Sequence, residues 1–200
     1  MHAFMSMRVS SRVLAISLLA GLAACAKAPS QINDLCAVFD QNDGWFNNWR
    51  SEARRAERKY GIPTPILMAT VRKESGFKSN ARPPRKKILG FIPGKRISSA
   101  YGYSQALDGT WAQYKRETGR LTARRNDFGD AVDFVGWYHS KTSRDLGVAP
   151  NDAYSLYLAY YSGWGGFKNG SWRGNSSLQR YAQETDAMAR KYAAQMRDCD

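Results

Sequence analysis

Apolar residues recur every three or four positions along most of this chain, so its pattern predicts helices. Trp45, Trp49, Ala53, Ala56 and Tyr60 form one stripe, with Asn42 or Asp43 as cap and Gly61 and Pro63 as stop. Thr64 is placed to cap a second helix with Pro65 at its first position. That helix runs through the apolar stretch 66–71 toward Glu74, and Gly76 suits a left-handed terminator. Asp108 caps a third, which carries Trp111 and Tyr114 and stops at Gly119. A fourth spans about 127–141, with Val132, Phe134, Val135 and Tyr138 along it. A fifth follows Pro150 and Asn151, carries Leu156, Leu158, Ala159 and Tyr160, and ends at Gly163. The last starts at Ser176, with Gln179 completing a capping box, and its stripe runs from Leu178 through Tyr181, Thr185 and Tyr192 to Met196. The one strand candidate is 88–97, around Pro93-Gly94. Six helices without an internal repeat predict a mainly α fold.

The N-terminal stretch follows a different pattern. Arg8 and Arg12 precede the apolar run 13–24, which is signal-peptide length and short of the roughly 20 residues that span a bilayer. It ends Leu22-Ala23-Ala24-Cys25, which resembles a bacterial lipobox. The resemblance implies cleavage before Cys25 and lipid attached to it; the plainer alternative is an ordinary signal peptide with a coincidental cysteine. Residues 1–24 are then the leader, 25–40 a lipidated tether rich in polar residues, and 41–200 the folded domain. Ala26 after the cysteine, where the enteric sorting rule would have Asp for inner-membrane retention, leans toward the outer membrane.

Three cysteines fit an exported protein. With Cys25 lipidated, Cys36 and Cys199 remain near the two ends, and in an oxidising compartment they are expected to pair, two free thiols being the alternative. No CxxC pair exists, and His139 is the one histidine beyond the leader. No metal site and no cofactor are expected.

The formal charge is +13, of which Arg8 and Arg12 carry two. Such a chain suits an anionic polymer or surface. Nucleic acid is not expected, since no finger, RRM or basic-zipper signature occurs. Peptidoglycan stems carry carboxylates, and anionic headgroups would lie beside a lipid anchor. The segment 82–96 places six cations around an apolar centre. It is expected to clamp a glycan strand, or to touch membrane or an envelope or secretion partner, a disordered basic insertion being the alternative.

Glu74 stands at the C-terminal end of an apolar helix, where the helix dipole and partial burial both raise a carboxyl pKa. A carboxyl kept protonated near neutrality is what a general acid for a glycosidic bond requires. Position alone fits an exposed glutamate paired with Arg72 or Lys73 better. Three motifs change that reading. Glu74-Ser75-Gly76-Phe77 resembles the E-S-x-F motif of the lysozyme-like lytic transglycosylases, the Slt family of murein-cleaving enzymes. Ser99-Ala100-Tyr101-Gly102-Tyr103-Ser104-Gln105 resembles their G-A-x-G-L-M-Q, matching at Ala, Gly and Gln. Ala159-Tyr160-Tyr161-Ser162-Gly163 resembles their A-Y-N-A-G, with Tyr161 in place of Asn.

The resemblance covers roughly 62–192 and implies a lysozyme-like α fold acting on peptidoglycan. By position, Glu74 matches the single catalytic acid and Ser75 a residue that bonds near the reacting sugar. Gln105 matches an amide in the substrate groove, and Tyr160 the tyrosine whose hydroxyl lies near the glutamate. Tyr161 replaces an asparagine that contacts substrate or water and cannot supply its amide. In the family the acetamido group and the C6 hydroxyl of the substrate complete the reaction, giving a 1,6-anhydro sugar. A lysozyme-type muramidase and a catalytically weak murein-binding scaffold lipoprotein are the rival readings. The motif resemblance thus implies a lyase acting on the bacterial cell wall, and the leader and lipobox imply that it is lipid-anchored in the envelope and faces the periplasm.

Overall fold

The computed structural model describes residues 28–42 and 48–199, and within them seven helices and one hairpin follow one another. They are α1 (Leu35–Asp40), α2 (Trp49–Tyr60), α3 (Thr64–Ser75), the antiparallel pair β1 (Arg85–Ile88) and β2 (Ile92–Arg96), α4 (Asp108–Thr118), α5 (Phe128–Leu146), α6 (Ala153–Lys168) and α7 (Ser176–Met196). The leader, Cys25, Asp43 and Trp45 lie outside the described residues. The mainly α expectation is met, and none of the described helices is long and apolar enough to cross a membrane.

Several boundaries differ from those read in the sequence. The segment 35–40, assigned to the tether, forms α1, and Leu35, Val38 and Phe39 are fully buried in the core. Asn48 caps α2 through Ser51 N at 2.7 Å, a turn later than Asn42. Thr64 lies inside α3, and its hydroxyl donates to Glu57 Oε2 at 2.5 Å rather than capping. Asp108 is the first residue of α4, and its carboxylate pairs with Arg125 at 2.7 Å. Asn175, not Ser176, caps α7 by accepting from Leu178 N, and Gln179 turns back to the carbonyl of Arg173. α5 continues five residues past Lys141 because its stop signal is Gly147, at φ 70°. The hairpin turns at Leu89-Gly90 rather than at Pro93-Gly94, which lies within the second strand.

α3 is the central element, buried at Thr64 and at every position from Ile66 to Val71. It lies against α7 on one side and α2 and α5 on the others, while α6 spans from α5 to α7. A helix apolar on all faces belongs inside a fold rather than on its surface. The chain ends are fastened over it. Cys36 and Cys199 are joined in a disulfide, Leu35 N donates to Gln195 Oε1 at 2.9 Å, and Tyr192 donates to the carbonyl of Ile32.

Asp133, His139 and Thr142 are polar residues buried on α5. Asp133 accepts from Tyr60 and Tyr114 hydroxyls, each at 2.8 Å, and from Lys59 at 3.0 Å, so it ties α2 and α4 to α5. His139 is fully buried, with Nε2 3.0 Å from Thr70 Oγ1. The Thr70 hydroxyl already donates to Ile66, so His139 must be the donor and carries its proton on Nε2. Burial lowers its pKa to about 3, and the ring is neutral.

The Asp133 cluster sets a stability prediction. Asp133→Ala leaves two buried tyrosine hydroxyls unpaired and should cost about 3–5 kcal/mol. Lys59→Met leaves the tyrosine hydroxyls paired and removes only a half-exposed cation, and should cost under about 1 kcal/mol. Denaturant midpoints of the two variants check the contrast.

Candidate active site

Glu74 occupies the last turn of α3, and the chain leaves that helix through two left-handed residues, Gly76 and Phe77. Phe77 is fully buried and its ring packs 5.8 Å from Trp49. This explains the aromatic in the first motif: it anchors the exit of α3 and so fixes the direction of the glutamate three residues earlier.

The Glu74 residue keeps a partly open face, while protein surrounds its carboxyl. Burial is the strongest influence on its ionisation and pushes its pKa up to about 7. Two groups oppose that shift. The Tyr157 hydroxyl donates to Glu74 Oε1 at 2.8 Å, and the Lys73 ammonium favours the carboxylate. Lys73 is itself held away by Glu184, at 2.6 Å, and lies 4.0 Å over the Tyr181 ring. Among the described residues, no carboxylate belongs to the groups that act on Glu74.

Tyr157 is the residue that the sequence reading missed. The family match put the glutamate's tyrosine at Tyr160, one turn further along α6. Tyr160 does come close enough to feel the Glu74 charge, but its hydroxyl donates to the carbonyl of Ser104 at 2.6 Å. The signal for Tyr157 was present in the spacing: Tyr157, Tyr160 and Tyr161 lie at i, i+3 and i+4, one face of one helix. Tyr157 is the buried member, at 2% exposure, and Tyr161 the outer one, at 56%.

The second motif forms the loop between the hairpin and α4. Gly102 has φ 75°, and a Cβ there would lie 2.0 Å from the Arg125 carbonyl oxygen, so the position admits only glycine. Tyr103 N donates to that same carbonyl at 3.1 Å. Arg125 clamps the loop from the other side, donating to the carbonyls of Ser99 and Ala106 at 3.0 and 2.9 Å. Gln105 is therefore held rigidly. Its Nε2 donates to the carbonyls of Ala81 and Gly102 at 3.0 and 2.8 Å, and among the described residues no donor reaches its Oε1. The amide can thus accept a hydrogen bond from a ligand but has no donor left to give.

Gln105, Leu107, Tyr160, Tyr161 and Gly163 line a cavity of about 200 Å³ backed by Phe134 and Tyr138. Gly163 makes its far edge. With φ 73° and ψ 160° it adopts a conformation open to glycine alone and breaks α6 after Ser162. Ser75 turns away, its hydroxyl donating to the Val71 carbonyl at 3.1 Å. Trp164 stacks on Tyr138 at 4.4 Å and donates to Thr142, and Trp172 stacks on Phe167. Both indoles therefore have ring partners within the protein.

The three motifs thus meet in space. Glu74, at the end of α3, is linked to the cavity through Tyr160, which feels its charge and donates to Ser104 of the second motif. The cavity itself is lined by Gln105, Tyr160 and Tyr161 and not by Glu74. Comparison with curated proteins returns no match. The family model described as Transglycosylase SLT domain matches residues 13–199. With that match spanning nearly the whole chain, and with a helical domain converging on its motifs, the protein belongs to the transglycosylase SLT domain family.

Proposed function

We propose that this protein is a murein lytic transglycosylase that cleaves the β-1,4 bond between N-acetylmuramic acid and N-acetylglucosamine, with Glu74 as its sole acid and base. The observation that carries the reading is the Glu74 carboxyl itself: raised to about 7 by burial, held by Tyr157, and with no carboxylate of the described residues among the groups that shift its ionisation. Two-carboxylate glycosidases need a base or nucleophile across the sugar. A lone acid suits chemistry in which the substrate supplies the nucleophile.

The steps balance as follows. Protonated Glu74 gives its proton to the glycosidic oxygen as the C1–O4 bond breaks. The muramic acetamido group shields the developing positive charge at C1. The C6 hydroxyl then attacks C1, the C1–O6 bond forms, and the Glu74 carboxylate takes the hydroxyl proton. The product is a 1,6-anhydromuramic end, no water is consumed, and Glu74 is protonated again. A pKa near 7 lets one group perform both transfers. Gln105 Oε1 serves as acceptor for a sugar hydroxyl or amide. Ser75 has the weaker claim to a substrate contact, since its proton is committed to Val71. Tyr161, exposed at the rim of the cavity where the family has asparagine, offers a ring face in place of an amide.

The setting we propose is the periplasmic side of the envelope, with Cys25 lipidated in the outer membrane. The basic surface of the chain fits the anionic stems of peptidoglycan.

Digestion of purified sacculi followed by mass spectrometry tests the activity. The wild type should release muropeptides one water lighter than hydrolysis products, and Glu74→Gln should be slower by about 10²–10⁴-fold. Reducing-end products alone would identify a hydrolase of the muramidase type. Equal activity in both proteins would remove Glu74 from the chemistry, and none in either would leave murein binding as the function.

Tyr157→Phe removes the one hydrogen bond that favours the carboxylate, so the alkaline limb of the pH–rate profile should move to higher pH. The same change loosens the acid's aim and should lower kcat/KM by roughly tenfold, the equivalent of about 1.4 kcal/mol. A profile that keeps its limb in place would remove Tyr157 from the site.

A further inference from the structure

The hairpin β1–β2 is left unexplained by the cleft, and its surface has two unusual properties. Its apolar side chains face outward: Leu89 is 79% and Phe91 75% exposed, with Ile88 and Ile92 about half exposed beside them. The strands lean chiefly on one another, and the cross-strand pair Ile88–Ile92 closes the tip. An apolar cluster of this kind on a surface marks a contact.

The turn makes the same point. Leu89 and Gly90 both have positive φ, 52° and 81°, in the three-residue connection between the paired Ile88 and Ile92, a conformation that glycine and asparagine adopt most readily. Leucine at the first position is strained and contributes nothing to the turn. Its presence calls for a partner outside the fold.

The second property is charge. Between Glu74 and Asp108 the sequence holds no acidic residue. Lys86, Lys87 and Lys95 form no ion pair among the described residues. Arg85 and Arg96 donate to the carbonyls of Gly94 and Pro83, and Arg82 stacks 4.0 Å over Tyr101, so all three stiffen the finger while keeping their charge.

We propose that this hairpin docks on an anionic lipid bilayer, with Leu89 and Phe91 entering the boundary between headgroups and acyl chains and the cations behind them meeting lipid phosphates. Leu89, Ile88 and Ile92 cannot bond the hydroxyls of a glycan, and an apolar tip followed by a cationic collar matches the layering of a phospholipid leaflet. The base of the hairpin is tied to the cleft, since Ala81 accepts from both Gly102 N and Gln105 Nε2. Docking would hold the cleft roughly 15 Å from the leaflet, one strand length away. The inference does not depend on the reaction at Glu74 or on lipid at Cys25.

Hydrogen exchange of the full chain, read locally at residues 86–96, tests it. Vesicles of phosphatidylcholine with phosphatidylglycerol should slow exchange at 88–92 by at least about fivefold, and 0.5 M salt should weaken the effect. Pure phosphatidylcholine should do much less. The double variant Leu89→Asn, Phe91→Ser, whose asparagine suits the turn and whose fold is checked by circular dichroism, should lose the protection. No slowing by the anionic vesicles, equal slowing by neutral ones, or slowing by soluble murein strands instead would overturn the proposal.

Discussion

The burial of one carboxyl at the end of α3 is the constraint around which this molecule is arranged. A buried carboxylate is costly, and a protein avoids that cost by keeping the group protonated or by pairing it. Here the pairing is weak. Lys73, the nearest cation, is drawn to Glu184 and to the face of Tyr181, and Tyr157 offers a single neutral hydrogen bond. The balance leaves Glu74 near the middle of its titration at neutral pH. Everything that sets the balance comes from packing: α3 is enclosed by α2, α5 and α7, and α6 brings Tyr157 to its end.

The same packing explains why the site is rigid on one side and open on the other. The loop carrying Gln105 is held by Arg125 and by the glycine-only approach at Gly102, and α6 is cut at Gly163. Between them lies the cavity, with Tyr161 at its rim. The hairpin extends from the same loop, so a charge-rich, apolar-tipped finger and the cleft share one foundation at Ala81.

The helices were legible because their stripes are long and their stops are glycines, as at Gly61, Gly119 and Gly147. Caps were less so: Asn48, Leu107 and Asn175 each sit one or more residues from the expected position, since Ser, Thr and Asp serve equally well just inside a helix. α1 was read as tether because six residues are too few to show a period, and its burial comes from the disulfide and α7 rather than from its own pattern. At the site, Glu74, Gln105 and Tyr160 were read from motifs, and the fold brings them to one region. Motif matching could not reveal that Tyr157 holds the glutamate while Tyr160 holds the loop. That division of labour depends on the rotation of α6 relative to α3, which is a tertiary property.

The central claim is that Glu74 is protonated near neutrality because protein surrounds it. Carbon-13 NMR of carboxyl-labelled protein, with Glu74→Gln used to assign the resonance, measures this directly. A titration midpoint near 7 is the predicted result. A midpoint at the ordinary value for glutamate, about 4.3, would contradict it.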